Sequence, residues 1–222
     1  MPLGEPPPPA ALTALPLWRS AGQRLHRVFR RDRPSPWWFA SLDAEAPPRR
    51  QGRFDLPAPD GTCYLARSKV AAVLETFAEH DGALPDVELR NRLRAEVVAP
   101  TRAPAAADLV ARRARAAGVT VALWGGGGRP LTQRWAVALR RAGWVALHYG
   151  TQHDPSGGER AVALFDQAGD HLPYDDAGGW TPQVHELVDD GELREQLAAY
   201  GIDVVRSDAQ LPMVDLDDTG LV

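Results

Sequence analysis

The chain has 222 residues, 44% hydrophobic and 24% charged, with a formal net charge of −4. That is enough to bury one substantial core, and the balance excludes a broad basic footprint for nucleic acid or an anionic membrane. One cysteine, Cys63, excludes an intrachain disulfide and fits a reducing cytoplasm, and no Cys/His cluster has zinc spacing, so neither metal nor cofactor is expected. No stretch approaches the roughly 18 apolar residues of a membrane span, and the N-terminus lacks the basic start and apolar run of a signal peptide.

Residues 1–17 are proline-rich without apolar periodicity and are expected to form a disordered or extended tail. Leu25–Arg30 alternates as a half-buried strand, stopped by Pro34 and Pro36, and Thr62–Ala66 forms a second strand after the turn Pro59-Asp60-Gly61. Ser68 caps a helix on which Val70, Val73, Leu74 and Phe77 recur until Asp81-Gly82. A helix over Pro104–Ala117 stops at Gly118 before a strand over residues 119–124. Another starts at the cap Thr132 and stops at Gly143 before the strand WVALHY. Ala161–Phe165 is one more strand, Thr181–Tyr200 reads as helical, and IDVV adds an edge strand after Gly201. The sum is a mixed α/β chain in the α+β sense, with one domain over residues 18–206 and an acidic tail over 207–222 carrying Asp215, Asp217 and Asp218.

The helix after Ser68 places Glu75 on the edge of its apolar face, with Ala71 and Ala78 one turn away leaving room for a carboxylate at the floor of a cleft. An ordinary boundary glutamate produces the same periodicity. GRFDLPAPDGTCYLA joins Arg53, a planar fork for phosphate, to Tyr64, a stacking face for a heteroaromatic ring, though a surface arginine and a half-buried strand tyrosine read the same way. WGGGGRP follows an expected strand but lacks the Lys-Ser/Thr ending of a phosphate loop and reads as a flexible turn. Arg24, Arg27, Arg30, Arg31 and Arg33 suit nucleotide phosphates, an acidic partner or plain solvation. His148, His153 and Asp154 lack a third ligand at metal spacing, and Trp37-Trp38-Phe39 reads as a core or lid cluster.

HRVFR, GRFD, GTCYLARSKVAAVLETF, TQRWAVALRRAGWVALHYGTQHDP and AVALFD, in that order and spacing, resemble the RES-domain family over residues 24–166. The resemblance implies an ADP-ribosyltransferase-like central sheet flanked by helices. It also implies an NAD+ phosphorylase or glycohydrolase that breaks the nicotinamide–ribose bond, with inorganic phosphate as a co-substrate in the first case. Such enzymes act in the cytoplasm as toxins of toxin–antitoxin pairs, neutralised by an antitoxin with an Xre-like region; transfer of ADP-ribose to a protein is the alternative chemistry. Carried onto this sequence, Glu75 stabilises the oxocarbenium-like transition state, Arg53 holds the pyrophosphate or ribose with Arg27 as a second cation fixing the dinucleotide, and Tyr64 stacks on the nicotinamide. Thr151 stands where the family has serine and would orient the amide or ribose, with Ser156 as the alternative. The exchange of serine for threonine also fits a non-catalytic RES-like interaction protein, and a homodimer is left open.

Overall fold

The computed structural model describes residues 2–43, 51–77, 80, 82–126, 128–171 and 179–207. Prolines before and inside α1 (Pro9–Thr13) preset φ and lack N–H groups that a helix start leaves unpaired in any case. α1 is held down rather than loose. Leu12 and Leu15 are buried, Trp135 Nε1 donates to Gly4 O at 2.8 Å, and Trp144 Nε1 donates to Leu12 O at 2.9 Å. The tail expected over residues 1–17 is thus corrected for residues 2–17: two main-chain carbonyls, one before α1 and one within it, satisfy two indole N–H groups, a contact that leaves no periodic mark in sequence.

In chain order follow β1 (Leu17–Arg19), β2 (Arg24–Arg30), β3 (Trp38–Phe39), β4 (Asp60–Ala66), α2 (Lys69–Thr76), β5 (Ala83–Pro85), α3 (Asp86–Arg90), β6 (Arg92–Val98) and β7 (Ala105–Asp108). After a 3-10 turn at Arg112–Ala117 come α4 (Ala122–Gly125), α5 (Arg129–Arg141), β8 (Ala146–Gly150), β9 (Arg160–Gln167), β10 (Gly169–Asp170), β11 (Gln183–Glu186), α6 (Gly191–Ala199) and β12 (Asp203–Val205). Eight strands form one mixed sheet in the order β1-β7-β8-β9-β4-β2-β6-β11. Its β7–β8 pair is parallel and its other pairs are antiparallel. One face packs under α1 and α5 through Leu12, Phe54, Trp135, Leu139 and Leu147. The other buries Leu25, Phe39, Cys63, Leu65 and Leu164, while α2 and α6 share a further cluster around Val73, Leu74 and Leu197. The mixed α/β single-domain architecture expected from sequence is therefore what the chain adopts.

Several elements differ from their periodicity. The stretch expected as helix over 104–117 is β7 followed by a 3-10 turn, with Ala106 packed into one core and Ala107 into the other, as alternation along a strand requires. Alanine's helix propensity yields there to sheet pairing. With that place in the sheet filled, residues 119–124 form no strand and end in α4. α5 begins at Arg129 with Pro130 in its first turn, so Thr132 lies inside the helix and bonds Arg129 O and Arg53 O instead of capping. α2 stops at Thr76, short of Asp81-Gly82. The helix expected over 181–200 divides into β11 and α6, the latter capped by Asp190, whose Oδ1 accepts from Leu193 N at 2.9 Å. β12 is an edge strand as expected, but it pairs with β5 in a separate two-stranded sheet. Gly118 (φ 81°) and Gly143 (φ 92°) end their segments in the left-handed region, as their spacing predicts. The tail from residue 208 onward lies outside the described residues.

Candidate active site

A cleft of about 640 Å³ opens between α2, the loop before β4 and the end of β8. Ser68 Oγ caps α2 by accepting from Ala71 N at 3.1 Å, and the helix buries Val70, Val73 and Leu74, which turns Glu75 out to the cleft. β4 delivers Tyr64, the preceding loop delivers Arg53 and Asp55, and the first residue of α5 delivers Arg129. Tyr149 near the end of β8, and Gln152 and His153 beyond it, line the far wall. Trp124 closes over Gly150, where an added Cβ would stand 2.5 Å from the indole nitrogen, so the strand must be bare at that point.

Tyr64 is clamped. Its hydroxyl donates to Asp55 Oδ1 at 2.8 Å and accepts from Phe54 N at 2.9 Å, while Gly52 N donates to Asp55 Oδ2 at 2.5 Å. Burial raises the Asp55 carboxyl, opposed by the bonds from Tyr64 and Gly52 and by the charge of Arg129. Burial also pushes the Tyr64 and Tyr149 phenols well above their ordinary range, so both serve as neutral rings and donors rather than bases. Burial first, then the neighbouring Arg129, lowers the Arg53 guanidinium, with Glu75 pulling the other way. It stays a cation at neutral pH, since guanidinium starts far above that range. Three arginines, Arg27, Arg53 and Arg129, against the carboxyl groups of Asp55 and Glu75, with several ring faces, suit an anionic, heteroaromatic ligand.

The family model for the RES domain matches residues 24–185. The chain belongs to the RES-domain family. One solved structure, described as the crystal structure of the M.tuberculosis MbcT-MbcA toxin-antitoxin complex, contains a chain similar in fold. It is 17% identical with a TM-score of 0.55, over 81% of this chain and 91% of that one. No curated protein sequence matches.

Within this RES domain the expected residues Arg53, Tyr64, Glu75 and Arg27 all line the one cleft. Arg27 is also a brace between strands: its guanidinium donates to Cys63 Sγ at 2.6 Å, Tyr64 O at 3.3 Å and Trp38 O at 3.0 Å. Thr151 and Ser156 do not join the lining. The Thr151 hydroxyl is buried without a hydrogen-bond partner among the described residues, and Ser156 Oγ donates to Asp154, where it shapes the loop after β8. That carboxylate also takes the main-chain N–H of Ser156 at 2.9 Å and of Glu159 at 2.7 Å; desolvation pushes its pKa up, but these bonds outweigh it and bring the value down to about 2.

Asp55, Arg129, Tyr149 and Gln152 escape the sequence reading. Asp55 sat unremarked inside GRFD, and Arg129 inside the glycine run read as a mere turn. The other arginines near β2 are spent on ion pairs, Arg24 with Glu96, Arg31 with Glu186 and Arg33 with Asp170. His148 stacks on Trp18 at 4.3 Å and meets Asp108 at 2.9 Å, away from His153 in the cleft. Among the described residues no three of His, Cys, Asp or Glu gather as metal ligands. No helix there is long and apolar enough to cross a membrane.

Proposed function

We propose that this RES domain cleaves the nicotinamide–ribose bond of NAD+, by phosphorolysis or hydrolysis, as the toxin of a toxin–antitoxin pair in the cytoplasm. The observation that carries the reading is the gathering of Arg53, Tyr64 and Glu75 in one cleft, residues spread over three separate elements. Breaking that bond develops positive charge on the ribose, which a carboxylate stabilises more in the transition state than in the ground state. Glu75 is that carboxylate; it is exposed and lines the cleft, with one oxygen held by Gln152 N at 2.8 Å.

Arg53 and Arg129 take the pyrophosphate through charge-assisted hydrogen bonds, and Arg27 fixes the strand geometry beneath them. Tyr64, pinned through its hydroxyl, offers its ring to the nicotinamide. The attacking group, water or phosphate, enters from the solvent side where Glu75 is exposed. The fold shared with a chain of a toxin–antitoxin complex supports a protein neutraliser for this domain as well.

The test is nicotinamide release from NAD+ by purified protein, with and without inorganic phosphate, beside Glu75→Ala. The wild type should turn over and the variant should lose about a hundredfold or more in rate. Phosphate dependence separates the two acceptors. ADP-ribose appearing on protein instead of free in solution would replace this reading with a transferase, and no release under either condition would refute it.

A further inference from the structure

With Thr151 turned into the protein and Ser156 committed to Asp154, the residue that meets the charged groups of the cleft from this loop is Gln152. It does so twice. Its main-chain N–H donates to Glu75 Oε1 at 2.8 Å, and its side-chain Oε1 accepts from Arg53 Nη2. Arginine has no acceptor, so the second bond decides which end of the carboxamide faces it: the oxygen points to Arg53 and the NH2 group points away. The loop is braced on both sides. Thr151 N donates to Glu159 O at 3.3 Å, the Asp154 carboxylate gathers Ser156 and Glu159, and Trp124 covers Gly150.

We infer that Gln152 is a positioning residue, holding the anion-binding Arg53 and the carboxylate of Glu75 in fixed relation through two different groups of one residue. The inference rests on the NAD+ reading above. Its two bonds are separable, because a side-chain substitution removes the Oε1 that accepts from Arg53 Nη2 and leaves the main-chain donor to Glu75 in place. Arg53 serves the pyrophosphate equally in the ground and transition states, so a misplaced Arg53 appears in KM and not in kcat.

The decisive variant is Gln152→Met, of equal length but without the amide, in the full chain. Nicotinamide release is followed over a range of NAD+ concentrations, and ADP-ribose binding is measured by calorimetry. Since Gln152 is exposed, the melting temperature should not move. The expected result is a KM raised about tenfold, kcat within about twofold, and ADP-ribose weakened by the same factor as KM. Wild-type turnover with an unmoved KM in the variant overturns this inference alone. A fall in kcat at constant KM overturns it too, making Gln152 a transition-state contact. A wild type that releases no nicotinamide overturns the NAD+ reading and this inference with it.

Discussion

Gly52 is the position where the fold and the candidate site are most tightly joined. A Cβ there would stand 2.8 Å from Tyr64 Cε2 and closer still to the Tyr64 hydroxyl and Asp55 Oδ1. Neither neighbour can retreat cheaply. Asp55 is buried and takes the Gly52 N–H, while the phenol is fixed between Asp55 and Phe54 N. Gly52→Ala must therefore break the part-buried Tyr64–Asp55 bond, worth about 1.5–3 kcal/mol because its acceptor is charged, and add overpacking of about 1–3 kcal/mol. The expected loss is about 3–5 kcal/mol, or about 10 °C in melting temperature for a chain of this size. Calorimetric melting of Gly52→Ala, Tyr64→Phe and the double variant is the assay. With the phenol oxygen gone, part of the clash and all of the bond are already lost, so the double variant should fall short of the summed single losses by about 1 kcal/mol or more. A Gly52→Ala protein melting within about 2 °C of wild type would refute the packing argument.

Deleting residues 2–16 removes two buried leucines and the acceptors of two indole N–H groups, and should cost about 5 kcal/mol; chemical denaturation reads it. Thr151→Val replaces a buried, unpartnered hydroxyl by a methyl and should melt at or slightly above the wild-type temperature, whereas a loss beyond about 1 kcal/mol would reveal a partner for that hydroxyl. The buried His26 is driven from 6.5 down to about 4, by desolvation first and then by Arg94. Its folded-state pKa lies below the unfolded one, so the folded protein prefers the neutral ring: the stabilisation is full above pH 6.5 and is lost as pH falls toward 4. At about 1.4 kcal/mol per pH unit the ceiling is about 3.4 kcal/mol, and solvent reaching the neighbouring Arg24 and Glu96 screens it to about 2 kcal/mol. His26→Gln should flatten stability against pH in that window without abolishing its slope, because burial lowers His148 as well. An unchanged slope in urea titrations would exclude His26 as the source.

How much of this was legible in the sequence follows from how local each cause is. Strands β2, β4, β8 and β9 could be read because their alternation or apolar run is written in consecutive residues, and α2 because its capping serine and apolar stripe lie within ten positions, Ser68 to Phe77. β7 could not, since Ala105-Ala106-Ala107 carries helix propensity and becomes a strand by pairing with β1 and β8, distant neighbours in the chain. The same holds for the first residues, whose hold on the domain is two main-chain carbonyls meeting tryptophans 131 and 132 positions away.

For the candidate site, sequence spacing singles out residues that the fold then brings into one cleft, Tyr64 on a strand, Glu75 on a helix and Arg53 on the short loop whose Asp55 bonds Tyr64. It fails at the end of β8, where regular alternation stops. Beyond Gly150 the main chain is steered by Trp124 on one side and the Asp154 turn on the other, so which of two adjacent side chains enters the cleft is decided by contacts no spacing encodes. A hydroxyl at position 151 and an amide at 152 are equally plausible ligands from sequence. The main-chain N–H that Gln152 gives to Glu75 is independent of side-chain identity, which gives a physical reason why this loop can exchange its polar side chains and still keep a carboxylate in place.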